Sequence, residues 1–143
     1  MLIMNENNIP LDEAKRIAYA YFSKYEEELN PRSADNMDFI VEADNLRGTP
    51  SNPGLHAALM EHRAKSIQGF SKIILGLEKA LLNFCHAEYD SYMFVHKDKL
   101  IENSERVASE AVEKAREHRA AMNQIMDAIK AEYPAAQGSR GSM

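Results

Sequence analysis

The sequence of 143 residues contains one cysteine, no tryptophan, six glycines and five prolines. A lone cysteine cannot form a disulfide within the chain, which excludes a small secreted fold held by internal disulfides. No apolar run approaches the roughly 18–20 residues that a membrane span requires. The first six residues have neither the basic start nor the apolar stretch of a secretory signal. We therefore expect a soluble, cytoplasmic protein made of one domain, or of one domain with an appendage.

The sequence also lacks the motifs that identify common enzyme and cofactor sites. Neither of the glycine-rich phosphate-binding patterns, Gly-x-x-x-x-Gly-Lys and Gly-x-Gly-x-x-Gly, occurs in it. A zinc or di-iron site needs three or four converging ligands. His86 and Asp90 share a helical face, but the sequence offers no paired Glu-x-x-His motifs to complete such a set. Cys85 lies on a mostly apolar stripe and is expected to be a core residue. We expect no catalytic residue, no metal and no cofactor.

One short segment invites a different interpretation. The run from His62 to Ser66, His-Arg-Ala-Lys-Ser, resembles the phosphorylated-histidine segment of histidine phosphotransfer domains, which are helical bundles of similar size. The likeness covers five residues and implies a phosphate-accepting His62. The chain departs from that pattern at Ser66 and at Lys72, where the family has glycines that leave room for the phosphoryl group.

What the sequence does contain is helical periodicity, in two regions separated by a break. Over residues 9–30, apolar side chains recur at steps of three and four, and Pro10 and Asn30 mark the two ends. A shorter helix is expected after Ser33 or Asp35. Residues 47–54 hold two prolines and two glycines, which disfavour both helix and strand. This segment is the best internal boundary.

The region after the break predicts two long helices. Asn52 can cap the first helix and Pro53 can occupy its first turn, and helical spacing then continues for about forty residues. Gly69 and Gly76 interrupt it on one face, where they mark a kink or permit close approach of a second helix. A turn is expected over residues 96–99 with Asp98 as the cap. The second helix is expected over residues 99–133, and no strand is expected anywhere.

The predicted fold class is all-α: a long antiparallel helical hairpin, bundle-like or coiled-coil-like, with a smaller N-terminal helical segment. We predict an acidic helical segment over 1–48, a linker over 49–54, the hairpin over 55–133 and a flexible tail over 134–143. Aromatic residues cluster within 19–25 and 84–94, so we expect the N-terminal helix to dock near the hairpin turn, where large rings can share a core.

The hairpin is also predicted to be an oligomerisation module. A helix of about forty residues is about 60 Å long, longer than a compact domain of this size. Because a second copy is the simplest cover for the exposed flanks, we expect a dimer or tetramer. The expected interface consists of Leu100, Val107, Ala111, His118, Met122, Ile125, Ile129, Ile74, Leu77 and Leu81.

The charge is unevenly distributed along the chain. Residues 1–54 carry ten acidic and five basic side chains, whereas residues 55–143 carry twelve of each, so the whole net charge of −5 lies in the N-terminal third. An acidic surface repels phosphate, which makes nucleic acid an improbable partner for residues 1–54. It suits a partner protein with a basic surface. The expected partner surface comprises Glu26, Glu27, Glu28, Asp35, Asp38, Glu42 and Asp44.

These observations lead to one main hypothesis and two alternatives. The main one is a non-catalytic, oligomeric helical interaction protein: an adaptor, inhibitor or chaperone-like regulator that acts through protein–protein contacts. The first alternative is a DNA-binding regulator that dimerises through its long helices. The second is a histidine phosphotransfer-like or metal-binding helical bundle.

Overall fold

The structure is a computed structural model that describes residues 6–30 and 53–132. In chain order its elements are strand β1 (Asn8–Ile9), helix α1 (Leu11–Leu29), helix α2 (Pro53–Tyr92), strand β2 (Val95–His96) and helix α3 (Lys97–Glu132). The long helices α2 and α3 pack against each other as a hairpin, which confirms the all-α fold class. None of the described helices is both long and apolar enough to cross a membrane.

The helix ends follow local sequence signals, with one correction. Helix α2 begins at Pro53, as predicted, because the fixed φ of proline suits a first turn. It then continues without interruption through Gly69 and Gly76 to Tyr92. Helix α3 begins at Lys97, so Asp98 lies in its first turn and is not its cap. The cap comes from Asn7, a residue far away in the sequence.

The prediction that the chain has no strand was wrong. Strands β1 and β2 form a two-residue antiparallel pair, with Asn8 opposite His96 and Ile9 opposite Val95. Two residues are too few to show the alternation by which strands are recognised in a sequence. The pair ties the residues just before α1 to the hairpin turn. The expected sharing of large rings between α1 and the turn stays a prediction.

Buried side chains follow one stripe on each long helix at steps of mostly four and three. On α2 the stripe is Leu55, Leu59, His62, Ser66, Phe70, Leu77, Leu81 and Cys85, and on α3 it is Leu100, Ser104, Ala108, Ala111, Ala115, Met122, Met126 and Ile129. On α3 three alanines, Ala108, Ala111 and Ala115, take successive buried positions, because small side chains let helices approach closely. Val107 and Ile125, which were predicted to lie in the oligomer interface, are half-buried beside Ala108 and Met126.

The chain divides into two compact units. The described part of the first, here called the turn unit, is residues 6–29 and 73–114. The described part of the second, here called the histidine unit, is essentially residues 53–72 and 115–132. The predicted second helix, most of the predicted linker and the predicted tail lie outside the described residues.

Candidate functional site

The hairpin turn in the turn unit is the most unusual local structure in the described chain. The backbone N–H of Met93 donates to the carbonyl of Tyr89 at 2.7 Å, which closes the last turn of α2. Met93 itself has a φ of 62°, in the left-handed region, and no other described non-glycine residue has a positive φ. Glycine or asparagine normally occupies such a helix-ending position, because a side chain there meets the backbone.

The side chains at this turn are large and exposed. Met93 is 68% exposed and Tyr92 is 46% exposed. The Tyr92 ring lies 4.7 Å from the His96 ring in an edge-on arrangement and 5.8 Å from the Phe94 ring, measured between centroids. The Phe94 and His96 rings are 4.9 Å apart. Tyr92, Met93 and Phe94 are called the turn surface below.

His96 supports the turn surface, because its ring packs against Tyr92 and Phe94. Its ring nitrogen Nδ1 makes a close hydrogen bond with a carboxylate oxygen of Glu88, and the two side chains are only 20% and 13% exposed. The backbone N–H of His96 also donates to Glu88 at 3.4 Å. One carboxylate thus contacts both the ring and the backbone of His96, which orients the ring against which Tyr92 and Phe94 pack.

Asn7 closes the other side of the turn by capping helix α3. Its backbone carbonyl accepts a hydrogen bond from the N–H of Lys97 at 2.6 Å, and its side-chain oxygen accepts one from the N–H of Asp98 at 3.0 Å. These N–H groups are among those that a helix start leaves without an intrahelical acceptor. The N-terminal segment therefore completes the start of α3. A further contact joins the Tyr21 hydroxyl of α1 to Glu105 of α3 at 3.5 Å.

The predicted acidic surface is only partly within the described residues. Glu26, Glu27 and Glu28 are exposed at the carboxyl end of α1, whose last turn has no basic residue. The negative end of the helix dipole lies there, so these carboxylates add to an existing negative potential. The other four predicted partner residues, Asp35, Asp38, Glu42 and Asp44, lie outside the described residues.

Most residues of the predicted oligomer interface are buried within the chain itself. This holds for six of them, namely Leu77, Leu81, Leu100, Ala111, Met122 and Ile129. Four are half-buried, namely Ile74, Val107, His118 and Ile125. The six buried residues pack the hairpin, which leaves only the flanking positions accessible to another copy. Self-association stays a prediction.

The histidine unit brings together two histidines, His62 and His118, that lie on different helices. His62 of α2 is 1% exposed. His118 of α3 packs its ring edge-on to Phe70, with centroids 4.7 Å apart, and its Nε2 lies 3.0 Å from the carbonyl oxygen of Ser66. Burial, followed by the nearby His118 and Lys65, lowers the pKa of His62 below its ordinary value.

This burial bears on the phosphotransfer interpretation. A phosphate-accepting imidazole must be reached by the phosphoryl group of a donor, but His62 has almost no exposed surface. The packing of Ser66, which is fully buried beside it on α2, closes the position where that family leaves room. The geometry therefore does not favour His62 as a phosphate acceptor.

The remaining candidate residues do not assemble a reactive site in the described chain. Cys85 is fully buried, and burial raises the pKa of its thiol despite an opposing effect from Lys15, so it is a core residue as predicted. His86 and Asp90 are exposed on α2. Among the described residues, no group of three or more His, Cys, Asp or Glu side chains is arranged to hold a metal ion.

Sequence reasoning missed the two residues that shape the turn, Met93 and Asn7. The sequence does not indicate the left-handed backbone at Met93, because methionine is not a residue that favours that conformation. Asn7 is a good capping residue, but the helix it caps begins ninety residues later in the chain.

Comparisons with protein-family models, with curated proteins and with solved structures find no match to this chain.

Proposed function

We propose that this protein is a non-catalytic helical interaction protein that contacts a partner protein through the turn surface. The observation that carries this proposal is Met93, an exposed apolar side chain on a left-handed backbone. A left-handed conformation costs an ordinary residue roughly 1–2 kcal/mol, and an exposed side chain recovers nothing by burial. A large residue therefore occupies a position where folding alone favours glycine, and positions with such backbone strain are commonly functional.

The rest of the turn surface fits this role. Aromatic and methionine side chains on a rigid support are the residues that most often dominate protein–protein binding energy. Tyr92 and Phe94 are held by the His96–Glu88 pair, so little conformational entropy is lost when a partner binds.

The partner is proposed to carry a basic surface. Exposed Glu26, Glu27 and Glu28 stand at the negative end of α1, where their charges oppose helix stability. Complementary charge raises the rate of association and makes it sensitive to salt. Self-association belongs to the same proposal and would use the half-buried flanks of the hairpin together with exposed Leu75 of α2.

The proposal is tested by placing a photo-crosslinking amino acid at position 93 in the native cell. We expect one discrete crosslinked protein of basic character. The same amino acid at Leu75, which is exposed and apolar but lies within a regular helix, is the matched control. Crosslinking to a second copy from position 75 supports self-association through the hairpin flank.

A Met93→Gly variant separates binding from folding. Glycine relieves the left-handed strain, so we expect a gain in unfolding free energy of about 0.5–1 kcal/mol after its greater freedom in the unfolded chain is subtracted. Affinity for the crosslinked partner should fall by about tenfold or more. Capture of the same partner protein with equal yield from positions 93 and 75, or unchanged partner affinity in Met93→Gly, would rule out the turn surface as the binding site.

A further inference from the structure

The outer face of helix α2 carries an exposed apolar side chain between two lysines. Four residues at steps of three and four lie close together there on one uninterrupted helix, so they point to the same side. All four are exposed, and Leu75 is 57% exposed. An added Cβ at Gly76 would meet nothing within 4 Å, so there is open space beside Leu75. The α2 outer face, as the term is used below, is Lys72, Leu75, Gly76 and Lys79.

The two lysines of the α2 outer face have no ion-pair partner among the residues that the structure describes. Their own helix offers none, because no acidic residue lies three or four positions from Lys72 or from Lys79. Lys65, seven positions before Lys72, is different, because it pairs with Glu61 at 3.1 Å. The α2 outer face is therefore a positive and partly apolar surface, which suits an acidic partner.

Helix α1 carries the complementary side chains on its own outer face. Tyr19 is 45% exposed, and Glu26, seven residues later, is exposed on the same side of the helix. Glu27 is exposed next to Glu26, at the negative end of the helix dipole. None of these three side chains forms a hydrogen bond or an ion pair with another residue of the described chain. Tyr19, Glu26 and Glu27 are called the α1 outer face below.

The charges of the α2 outer face decide which surface of a second copy fits it. Two α2 helices packed antiparallel around Leu75 would place Lys72 of one copy near Lys79 of the other. A parallel pair would place each lysine near its own counterpart. Both arrangements bring like charges together, which disfavours association. The α1 outer face of a second copy instead sets carboxylates against the two lysines and the Tyr19 ring against Leu75.

We propose that the chain self-associates by docking the α1 outer face of one copy onto the α2 outer face of another. This inference rests on the self-association included in the proposed function, and it assigns the basic surface that Glu26 and Glu27 meet to a second copy. Helix α1 and the segment of α2 that holds Leu75 and Lys79 belong to the same turn unit. Each copy therefore carries both halves of the contact, as a closed two-fold pair requires.

Charge reversal on the full chain, followed by sedimentation equilibrium, tests this proposal. In the double variant Lys72→Glu with Lys79→Glu both docked faces are negative, and in the double variant Glu26→Lys with Glu27→Lys both are positive. Each variant alone should associate about tenfold or more weakly than the wild type. An equimolar mixture of the two should recover association, because every contact between unlike variants then joins opposite charges. A purely structural effect of either variant would not be reversed by mixing.

Lys114→Glu is the matched control for the single variant Lys79→Glu. It makes the same change of charge at an exposed lysine of α3 in the same unit. Lys79→Glu should weaken association severalfold, because it places like charges in contact. Lys114→Glu should leave association at the wild-type value, and equal weakening by both would show that only the net charge matters and would contradict the proposal.

A second measurement needs no variant. Because salt screens exposed charges, the association constant of the unmodified protein should fall severalfold between about 0.05 M and about 0.5 M sodium chloride. If the unmodified protein is monomeric up to about 0.1 mM, if salt leaves its association unchanged, or if the mixture of folded variants stays dissociated, the proposal is wrong. If a double variant loses its helical circular dichroism, the salt dependence and the single variants decide the question.

Failure of this proposal is distinguishable from failure of the turn surface. None of the substituted residues belongs to the turn surface, so capture of a partner protein from position 93 should be the same in the wild type and in the charge-reversed variants. Loss of that capture together with self-association would show that both depend on one surface, which would contradict the docking of α1 onto α2.

Discussion

The turn unit and the histidine unit are built from the same two long helices, but they are stabilised in different ways. In the turn unit a third helix and a short strand pair add to the hairpin, and Asn7 supplies hydrogen bonds that α3 lacks at its start. In the histidine unit the described contacts are apolar packing interrupted by His62 and Ser66. The same helical periodicity therefore supports one segment that is secured by added backbone hydrogen bonds and another that is held by side-chain packing around a buried histidine and serine.

The largest expected difference in stability between the two units comes from truncating the large aromatic core residue of the histidine unit. Phe70 is fully buried and contacts the His118 ring. Phe70→Ala should lower the unfolding free energy by about 3–5 kcal/mol, and the loss of exchange protection should be concentrated in residues 53–72 and 115–132. Phe70→Leu, which keeps most of the volume, should cost about 1–2 kcal/mol. A cost below about 1 kcal/mol for Phe70→Ala, as expected for a surface site, would contradict the described packing.

The two glycines of α2 offer a matched pair, one in each unit. A Cβ at Gly69 would overlap the His118 ring, whereas a Cβ at Gly76 meets nothing within 4 Å. Gly76→Ala should therefore stabilise the protein by about 1 kcal/mol, the usual gain in helix propensity. Gly69→Ala should destabilise it by about 1–2 kcal/mol, because overpacking outweighs that gain. Chemical denaturation of both variants measures the difference, and equal stabilisation would show that His118 does not lie against Gly69.

A smaller effect is expected from removing the cap of α3. Asn7→Ala removes the side-chain acceptor of the Asp98 N–H, so it should cost about 1 kcal/mol and increase exchange at the first residues of α3. Asn83 is exposed within α2, and Asn83→Ala should instead stabilise the helix by several tenths of a kcal/mol. If Asn7→Ala leaves exchange at residues 97–100 unchanged, the Asn7 side chain does not cap α3.

Local signals in the sequence were enough to predict the helices. The steps of three and four predicted α1 over 9–30 and the long helices after residue 52, and Pro53 marked the start of α2. Both glycines of α2 were noticed, but their roles could not be separated. What distinguishes Gly69 from Gly76 is the ring of His118, which packs against Gly69 although it lies 49 residues later in the chain.

The candidate sites were harder to predict, because each depends on contacts between distant segments. The periodicity of α2 and α3 does not fix which residues of the two helices face each other, so the packing of His118 against Gly69 and its proximity to His62 were not predicted. The predicted oligomer interface contained residues that the hairpin itself buries, since periodicity shows which face is apolar but not what covers it. The acidic run at Glu26–Glu28 could be identified directly, because its charge follows from residue identity alone.

The sequence by itself determined the all-α class, the positions of the helices and the concentration of negative charge in residues 1–54, because these depend on the spacing and composition of neighbouring residues. Only the tertiary structure decided that Asn7 caps α3, that Met93 takes a left-handed backbone in an exposed turn and that His62 is buried near His118. Each of these features arises where the packing of distant segments outweighs local preference, and that balance is set by contacts that a single stretch of sequence does not contain.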